Sequence, residues 1–272
     1  MKEYRLIAVD MDGTLLTSDK RVAEETQEDI RRAIEAGKDV VLSTGRGLSE
    51  LVDYREVLSN VRYGITASGG LIYDSWEKKS LFRAEFDRDL IREIFEEVRP
   101  EAPMVHFFSG HKSVVQSDQV HHMADYHMGI YQDMFLAKTE QVEDIYSAVD
   151  NYPEIEKINV YFRSKEDRSR HLERMNALPV TYAFSVESLS VEISPKGISK
   201  GSGLLWLCDY LGIDPTQTIA VGDGDNDRAV LKSAGLSVAM GNAGTAIQTL
   251  CDEKVSDNDH NGVGEAIRRF LL

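Results

Sequence analysis

The stretch Leu6-Ile7-Ala8-Val9-Asp10-Met11-Asp12-Gly13-Thr14-Leu15 constrains this chain most, because four apolar residues run straight into two carboxylates one residue apart. A short apolar run closed by a turn signal is the pattern of a strand buried on both faces of a parallel sheet, although the run alone does not exclude helix. Residues i and i+2 of a strand point to one side, so Asp10 and Asp12 can face one crevice, while Gly13 lets the chain turn sharply away. Two carboxylates this close repel, which calls for a cation or a shared proton beside them. As plain turn acids closing a strand, the same pair would carry no chemistry.

With 272 residues, 42% of them hydrophobic, the chain can bury a sizeable core and lies near the size at which one domain becomes two. Its formal net charge of -15 argues against nucleic acid or an anionic membrane surface as partner, since both select basic faces. An anionic substrate would need local positive charge. Cys208 and Cys251 are the only cysteines, neither in a paired motif, which predicts a reducing compartment without a disulfide framework. The chain enters a strand at once and has no apolar run of membrane-spanning length, so neither signal peptide nor membrane span is expected, and the cytoplasm is the expected location.

In order, Val22 to Ala36 has apolar residues at helical spacing and stops at Gly37, Val40-Val41-Leu42 reads as a second buried strand, a helix is expected near Leu48 to Leu58, and a third strand around Tyr63 to Ala67. Alternating strands and helices of this length imply parallel β-α-β units with ligands at the carboxyl ends of the strands. The second strand ends in Ser43-Thr44-Gly45-Arg46, where a hydroxyl before a glycine can cap the next helix or hold an anion.

From about Phe82 to Leu189 the pattern changes. The spacing predicts helices over Asp87 to Val98 and Thr139 to Asn151 and another from Ser164, and strands over Met104 to Phe108, Ser113 to Gln116, Lys157 to Phe162, Val180 to Val186 and Leu189 to Ile193. About 155 residues separate Thr44 from Lys200, too many for one connection, which predicts an inserted domain. The expected division is 1-82 and 190-272 for a core and 83-189 for the insert. Six of the seven histidines fall in the insert: His106, His111, His121, His122, His127 and His171. No Cys pair or His-Glu-X-X-His helix accompanies them, so surface or pocket-lining imidazoles are expected rather than zinc.

Ser199-Lys200-Gly201 then opens an apolar helix ending at Gly212. A lysine in a first helical turn opposes the helix dipole unless an anion faces it, and a bound phosphoryl group would supply that anion. Ile219-Ala220-Val221 is another buried strand, ending in Gly222-Asp223-Gly224-Asp225-Asn226-Asp227. The acids have the first spacings of an EF-hand loop, but Arg228 stands where its glycine is needed and Ala234 where its glutamate is needed. A dinucleotide fingerprint fails too, because Asp227 takes its third glycine position. Leu236 to Met240, a helix at Ala246, a short strand at Lys254 to Ser256 and a helix from Gly264 complete the core.

Taken together, Asp10-Met11-Asp12-Gly13-Thr14-Leu15, Thr44-Gly45-Arg46, Ser199-Lys200-Gly201 and Gly222 to Asp227 resemble, in order, the four motifs of the haloacid dehalogenase superfamily, in its Cof-like phosphatase branch. The resemblance covers essentially the whole chain. It implies an α/β fold, a Rossmann-like parallel sheet flanked by helices, with an inserted α/β cap domain between the second and third motifs. It implies Asp10 as nucleophile and Asp12 as acid/base. Thr44, with Ser43 as fallback, and the neighbouring Gly45 and Arg46 would bind the phosphoryl group or substrate. Lys200, ahead of Lys196, would be the catalytic lysine. Magnesium would be held by Asp10, the Asp12 backbone carbonyl and Asp223, with Asn226 and Asp227 supporting the metal, its waters and the phosphoryl group. Two departures stand out: Gly47 where the branch usually has proline, and Ser68-Gly69-Gly70 in place of a more usual Asn-Gly pair. Both put substrate contacts in question more than chemistry.

The function implied is magnesium-dependent hydrolysis of small phosphate esters through an aspartyl-phosphate, by a monomer or weak homodimer. Sugar phosphates are favoured, with His121, His122, Asp125, Tyr126 and His127 as hydrogen-bonding groups in the cap, ahead of pyridoxal phosphate or flavin mononucleotide. A phosphomutase or phosphotransferase would share the intermediate, and a non-enzymatic phosphometabolite sensor is the alternative from another class.

Overall fold

The structure is a computed structural model and describes residues 3–183 and 189–272. Two compact units divide the chain. The first comprises Met1–Gly45, Asp53–Phe82 and Ile198–Leu272, and the second Arg46–Val52 and Arg83–Gly197.

The first unit begins with β1 (Leu6–Val9), α1 (Glu24–Glu35), β2 (Asp39–Ser43), β3 (Tyr63–Thr66) and β4 (Leu71–Asp74), and β5 (Lys79–Arg83) spans the boundary. All four residues of β1 are buried, as expected of a strand covered on both faces. Glu24 and Glu25 in the first turn of α1 complement the helix dipole, and Ile30 and Ala33 are its buried apolar residues.

The second unit continues with α2 (Arg88–Val98), β6 (Met104–Ser109), β7 (Lys112–Gln116), α3 (Ser117–Val120), α4 (Gln132–Lys138), β8 (Glu140–Val142), α5 (Ile145–Ala148), β9 (Lys157–Tyr161), α6 (Lys165–Met175), β10 (Val180–Ala183) and β11 (Ser190–Pro195). The first unit resumes with α7 (Lys200–Leu211), β12 (Thr218–Gly222), α8 (Arg228–Ser233), β13 (Leu236–Ala239), α9 (Thr245–Leu250), β14 (Glu253–Lys254) and α10 (Gly262–Ala266).

The first unit's sheet has eight strands in the order β14-β13-β12-β1-β2-β3-β4-β5. Pairing is parallel from β14 to β3, and β4 runs antiparallel to β3. Leu6 and Ala8 face one side with Val41, Ile65 and Ala220, where Leu204, Leu207, Val230 and Leu231 of α7 and α8 cover them. By alternation Ile7 and Val9 face the other side, where α1 contacts β2 and the C-terminal helical turn contacts β1. Val9 is level with both Leu42 and Val221, so β1 stops one residue short of the ends of β2 and β12. That register puts Asp10 level with Ser43 and Gly222, with Thr44 and Asp223 one residue further along, so all three lie at the carboxyl edge of three neighbouring parallel strands, the usual place for a ligand in such a sheet.

The second unit's sheet has six strands in the order β10-β11-β9-β6-β7-β8. One face carries Val105, Phe107, Ile158, Val160, Val191 and Ile193 against Ile91, Ile94 and Phe95 of α2 and Met175 of α6.

Several elements differ from the sequence expectation. Strand β4 was not expected; it pairs with β3 through Tyr63↔Asp74 to Thr66↔Leu71. The helix expected near Leu48 to Leu58 is a 3-10 helix over Leu48–Tyr54 followed by turns. Thr139 to Asn151 is not one helix: Glu140–Val142 pairs with β7, and Asp144 then caps a new short helix by accepting from the Tyr146 N–H at 3.1 Å. The residues from 190, expected in the core, form β11 between β9 and β10. Of the strand expected over Val180 to Val186, residues 184–186 lie outside the described residues.

Candidate active site

Asp10 follows β1 and is buried, its N–H donating to the Val221 carbonyl at 3.1 Å. Lys200 reaches it from the first turn of α7. The helix start is fixed by a reciprocal cap, in which the Ser202 N–H donates to Ser199 Oγ at 3.2 Å and the Ser199 N–H donates to Ser202 Oγ at 2.9 Å. The Lys200 ammonium, itself buried, donates to Asp10 Oδ1 at 2.6 Å and to Asp227 Oδ1 at 2.7 Å. The anion that a first-turn lysine calls for is thus a pair of carboxylates. Lys196 is exposed and belongs to the second unit.

Asp227 is fully buried, and its second oxygen accepts from the backbone N–H groups of Asp223 and Gly224, both at 3.1 Å. It therefore shapes the turn that presents Asp223. Asp223 in turn accepts from Thr14 Oγ1 at 2.8 Å, which ties the first motif to the fourth. Gly13 stands between them with φ +78, and a Cβ there would lie 2.4 Å from Asp223 Oδ2, so both conformation and space require glycine. Thr14 was not among the expected site residues, although it lies inside the first motif.

Carboxylate oxygens of Asp10, Asp223 and Asp227 lie within 4.8 Å of one another, the arrangement of a hard-cation site with oxygen donors. The electrostatics agree. Burial, then the charge of Asp227, push Asp10 well above the usual carboxylate range against the pull of Lys200. Burial raises Asp223 to about 6 in spite of the Thr14 hydrogen bond. Burial alone would lower the Lys200 ammonium, but Asp10 and Asp227 outweigh it and hold it above the lysine range. One ammonium among three acids leaves an excess of negative charge that a divalent cation would neutralise, so the residues fit such a cation.

Thr44 is buried after β2, its N–H donating to the Ile65 carbonyl at 2.8 Å and its carbonyl accepting from the Ser68 N–H at 3.0 Å. Ser43 is also buried, and its hydroxyl has no hydrogen-bond partner among the described residues. Gly45 closes the first segment of the first unit, whereas Arg46 belongs to the second. Asn226 lies half-buried in the 3-10 turn Asp225–Asp227. The site thus brings together Asp10, Asp223, Asp227 and Lys200, with Asp12 and Thr44 at the same sheet edge. Among the described residues no histidine joins a potential metal group: His106 and His171 are buried, and His111, His121, His122 and His127 are exposed.

Residues 7–267 match the family of haloacid dehalogenase-like hydrolases. The chain belongs to that family. It is 28% identical to the Bacillus subtilis 5-amino-6-(5-phospho-D-ribitylamino)uracil phosphatase YcsE, over 99% of this chain and 97% of that protein. It is 27% identical to an Arabidopsis thaliana protein named chloroplastic endoribonuclease YBEY, over 99% of this chain, but spans only 47% of that protein. A solved haloacid dehalogenase-like hydrolase from B. subtilis superposes with a TM-score of 0.87 at 27% identity, covering 100% of both chains. This haloacid dehalogenase-like hydrolase is an enzyme, a phosphatase. No helix among the described residues is long and apolar enough to cross a membrane.

Proposed function

We propose that this phosphatase hydrolyses small phosphate monoesters, sugar or sugar-alcohol phosphates foremost, through a phosphorylated Asp10. The observation that carries the reading is the buried Lys200 ammonium bridging Asp10 and Asp227, with Asp223 in the same cluster. Lys200 engages Oδ1 of Asp10, which leaves Oδ2 for in-line attack on phosphorus. As the ester bond breaks, Asp12 delivers a proton to the leaving oxygen, and afterwards takes one from the water that hydrolyses the aspartyl-phosphate. The Thr44 hydroxyl, the Gly45 N–H and Lys200 stabilise the transferring phosphoryl oxygens, where preorganised donors matter most. Asn226 contacts the substrate. Asp10, the Asp12 carbonyl and Asp223, supported by Asp227, would hold magnesium, which would supply positive charge against the acids and the phosphate.

The substrate class draws support from the phosphoribityl compound in the name of the B. subtilis relative. Two free cysteines, one of them buried, support a reducing, cytoplasmic setting. The test is phosphate release from sugar phosphates, sugar-alcohol phosphates, nucleotides, cofactor phosphates and phosphopeptides with magnesium present. Small sugar-type esters should give the highest kcat/KM, and a preference for phosphopeptides of about ten-fold or more would overturn the substrate class. Product analysis with acceptor sugars separates hydrolysis from transfer to an alcohol.

A further inference from the structure

Every acid of the cluster has a donor. Asp10 and Asp227 share Lys200, Asp223 has Thr14, and Asp12 has Lys20, whose ammonium donates to Asp12 Oδ1 at 2.9 Å. Lys20 belongs to none of the four motifs. Asp12 also differs in exposure: its side chain is 39% exposed, whereas Asp10 and Asp227 are buried.

Lys20 is not a random surface partner. It sits at the tip of a small hairpin in which Leu16 bridges both Asp12 and Val22, and the Thr17 N–H donates to the Arg21 carbonyl at 2.9 Å. The Lys20 N–H donates to the Thr17 carbonyl at 2.8 Å, and the Tyr54 hydroxyl donates to the Lys20 carbonyl at 3.1 Å. Its φ of +58 is a left-handed conformation that a lysine keeps only where its surroundings hold it. The hairpin is moored as well. Asn242 Nδ2 donates to the Gly13 carbonyl at 2.8 Å and Asn258 Nδ2 to the Leu16 carbonyl at 2.9 Å, while the Ser18 N–H and hydroxyl donate to Asp259 at 2.8 and 2.6 Å. With its backbone fixed at so many points, Lys20 presents its ammonium to Asp12 from a defined direction.

We propose that Lys20 is a positioning residue for Asp12, fixing the orientation in which that carboxyl meets the leaving-group oxygen. The inference rests on the reading of Asp12 as the proton donor. In the step itself the Asp12 O–H bond breaks, its proton passes to the oxygen released from phosphorus, and Lys20 gives up no proton. A half-exposed ion pair suits this role, because it orients Asp12 through Oδ1 while keeping the carboxyl within reach of a leaving oxygen, which a buried pair such as that of Lys200 would not.

The experiment compares kcat/KM for p-nitrophenyl phosphate, whose leaving group needs little protonation, with that for glycerol phosphate, whose alkoxide needs a proton. Lys20→Met should lower the glycerol phosphate value by about five-fold, the scale of one exposed ion pair, and the p-nitrophenyl phosphate value by clearly less. Lys20→Arg should restore most of the loss. Equal losses on both substrates, or no loss on either, would overturn the proposal. Asp12→Asn is the control. If it too fails to discriminate between the substrates, the proton-donor reading of Asp12 falls, whereas discrimination by Asp12→Asn without discrimination by Lys20→Met refutes only the role of Lys20.

Discussion

Replacing Lys200 by Met keeps the length of the side chain and removes the ammonium that bridges Asp10 and Asp227 at 2.6 and 2.7 Å. Both carboxylates are buried, so the variant must either hold uncompensated charge or take up a proton. Breaking a buried ion pair by removing one partner costs about 3–5 kcal/mol. At about 2–4 °C per kcal/mol for a chain of this size, the melting transition of the first unit should fall by about 10 °C. The pH dependence has a definite sign. Lys200 is held above the lysine range, so its contribution is complete below about pH 10.4 and is lost only at more alkaline pH. Asp10 is already raised by burial and by Asp227, and without the ammonium it rises further. A folded state that binds a proton the unfolded chain does not is stabilised as pH falls, so the deficit of the variant should shrink between pH 8 and pH 5. Turnover should fall by about 10² to 10³, the usual loss for one preorganised donor. Calorimetry of both proteins in EDTA across pH, with kcat/KM on p-nitrophenyl phosphate, measures all three. A variant that melts within about 2 °C of the parent, or whose deficit grows towards acid pH, would refute the reasoning.

Asp10→Asn is nearly isosteric and removes a charge that burial already disfavours, so it should keep or raise the melting temperature while abolishing phosphate release; retained turnover would remove Asp10 from the nucleophile role. Magnesium at 100 times its Kd should stabilise the protein by about 2.7 kcal/mol, and Asp223→Ala should erase that gain; a parent melting curve unmoved by magnesium or EDTA would refute the metal site. In the second unit, burial pushes the His171 imidazole down from 6.5 to about 4. Neutral His171 therefore stabilises the fold fully above pH 6.5, and up to about 3 kcal/mol is lost as pH falls towards 4, because the unfolded chain takes the proton first. His171→Phe should flatten that loss, and an unchanged pH–stability profile would exclude His171 as its source.

The carboxylate cluster is legible in the sequence because each of its parts is local. An apolar run buried on both faces writes β1 and β12 directly, and the polar residues that end each run are those the sheet edge gathers into a site. Lys20 is another matter. Its contact with Asp12 depends on a left-handed turn at a lysine and on mooring contacts from residues 242–259, which no local propensity encodes. The strained segment after β3 is hidden for the same reason. Ala67 and Ser68 have φ of +48 and +55, and the turn holds because the Ser68 N–H donates to Thr44 while the chain returns as β4.

Periodicity fails where a segment has two possible partners. Val142, Ile145, Tyr146 and Val149 are spaced for one helical face, and Ile145 and Val149 do enter the core. Glu140 to Val142 gains a ladder of hydrogen bonds from β7, however, and Asp144 then starts its own short helix, so the apolar spacing survives while the helix is divided. Gly47 shows the opposite case, where a departure from the family pattern has a local cause that only tertiary packing reveals. A Cβ at residue 47 would lie 2.3 Å from Cδ1 of Phe108 and 2.6 Å from Cε1 of the same ring, so no side chain fits while that phenylalanine is there. Gly47 and Phe108 are thus one steric choice made at two distant positions. The proline usual in the branch is excluded by a buried aromatic ring on β6, and the glycine beside Arg46 is part of the packing of the second unit.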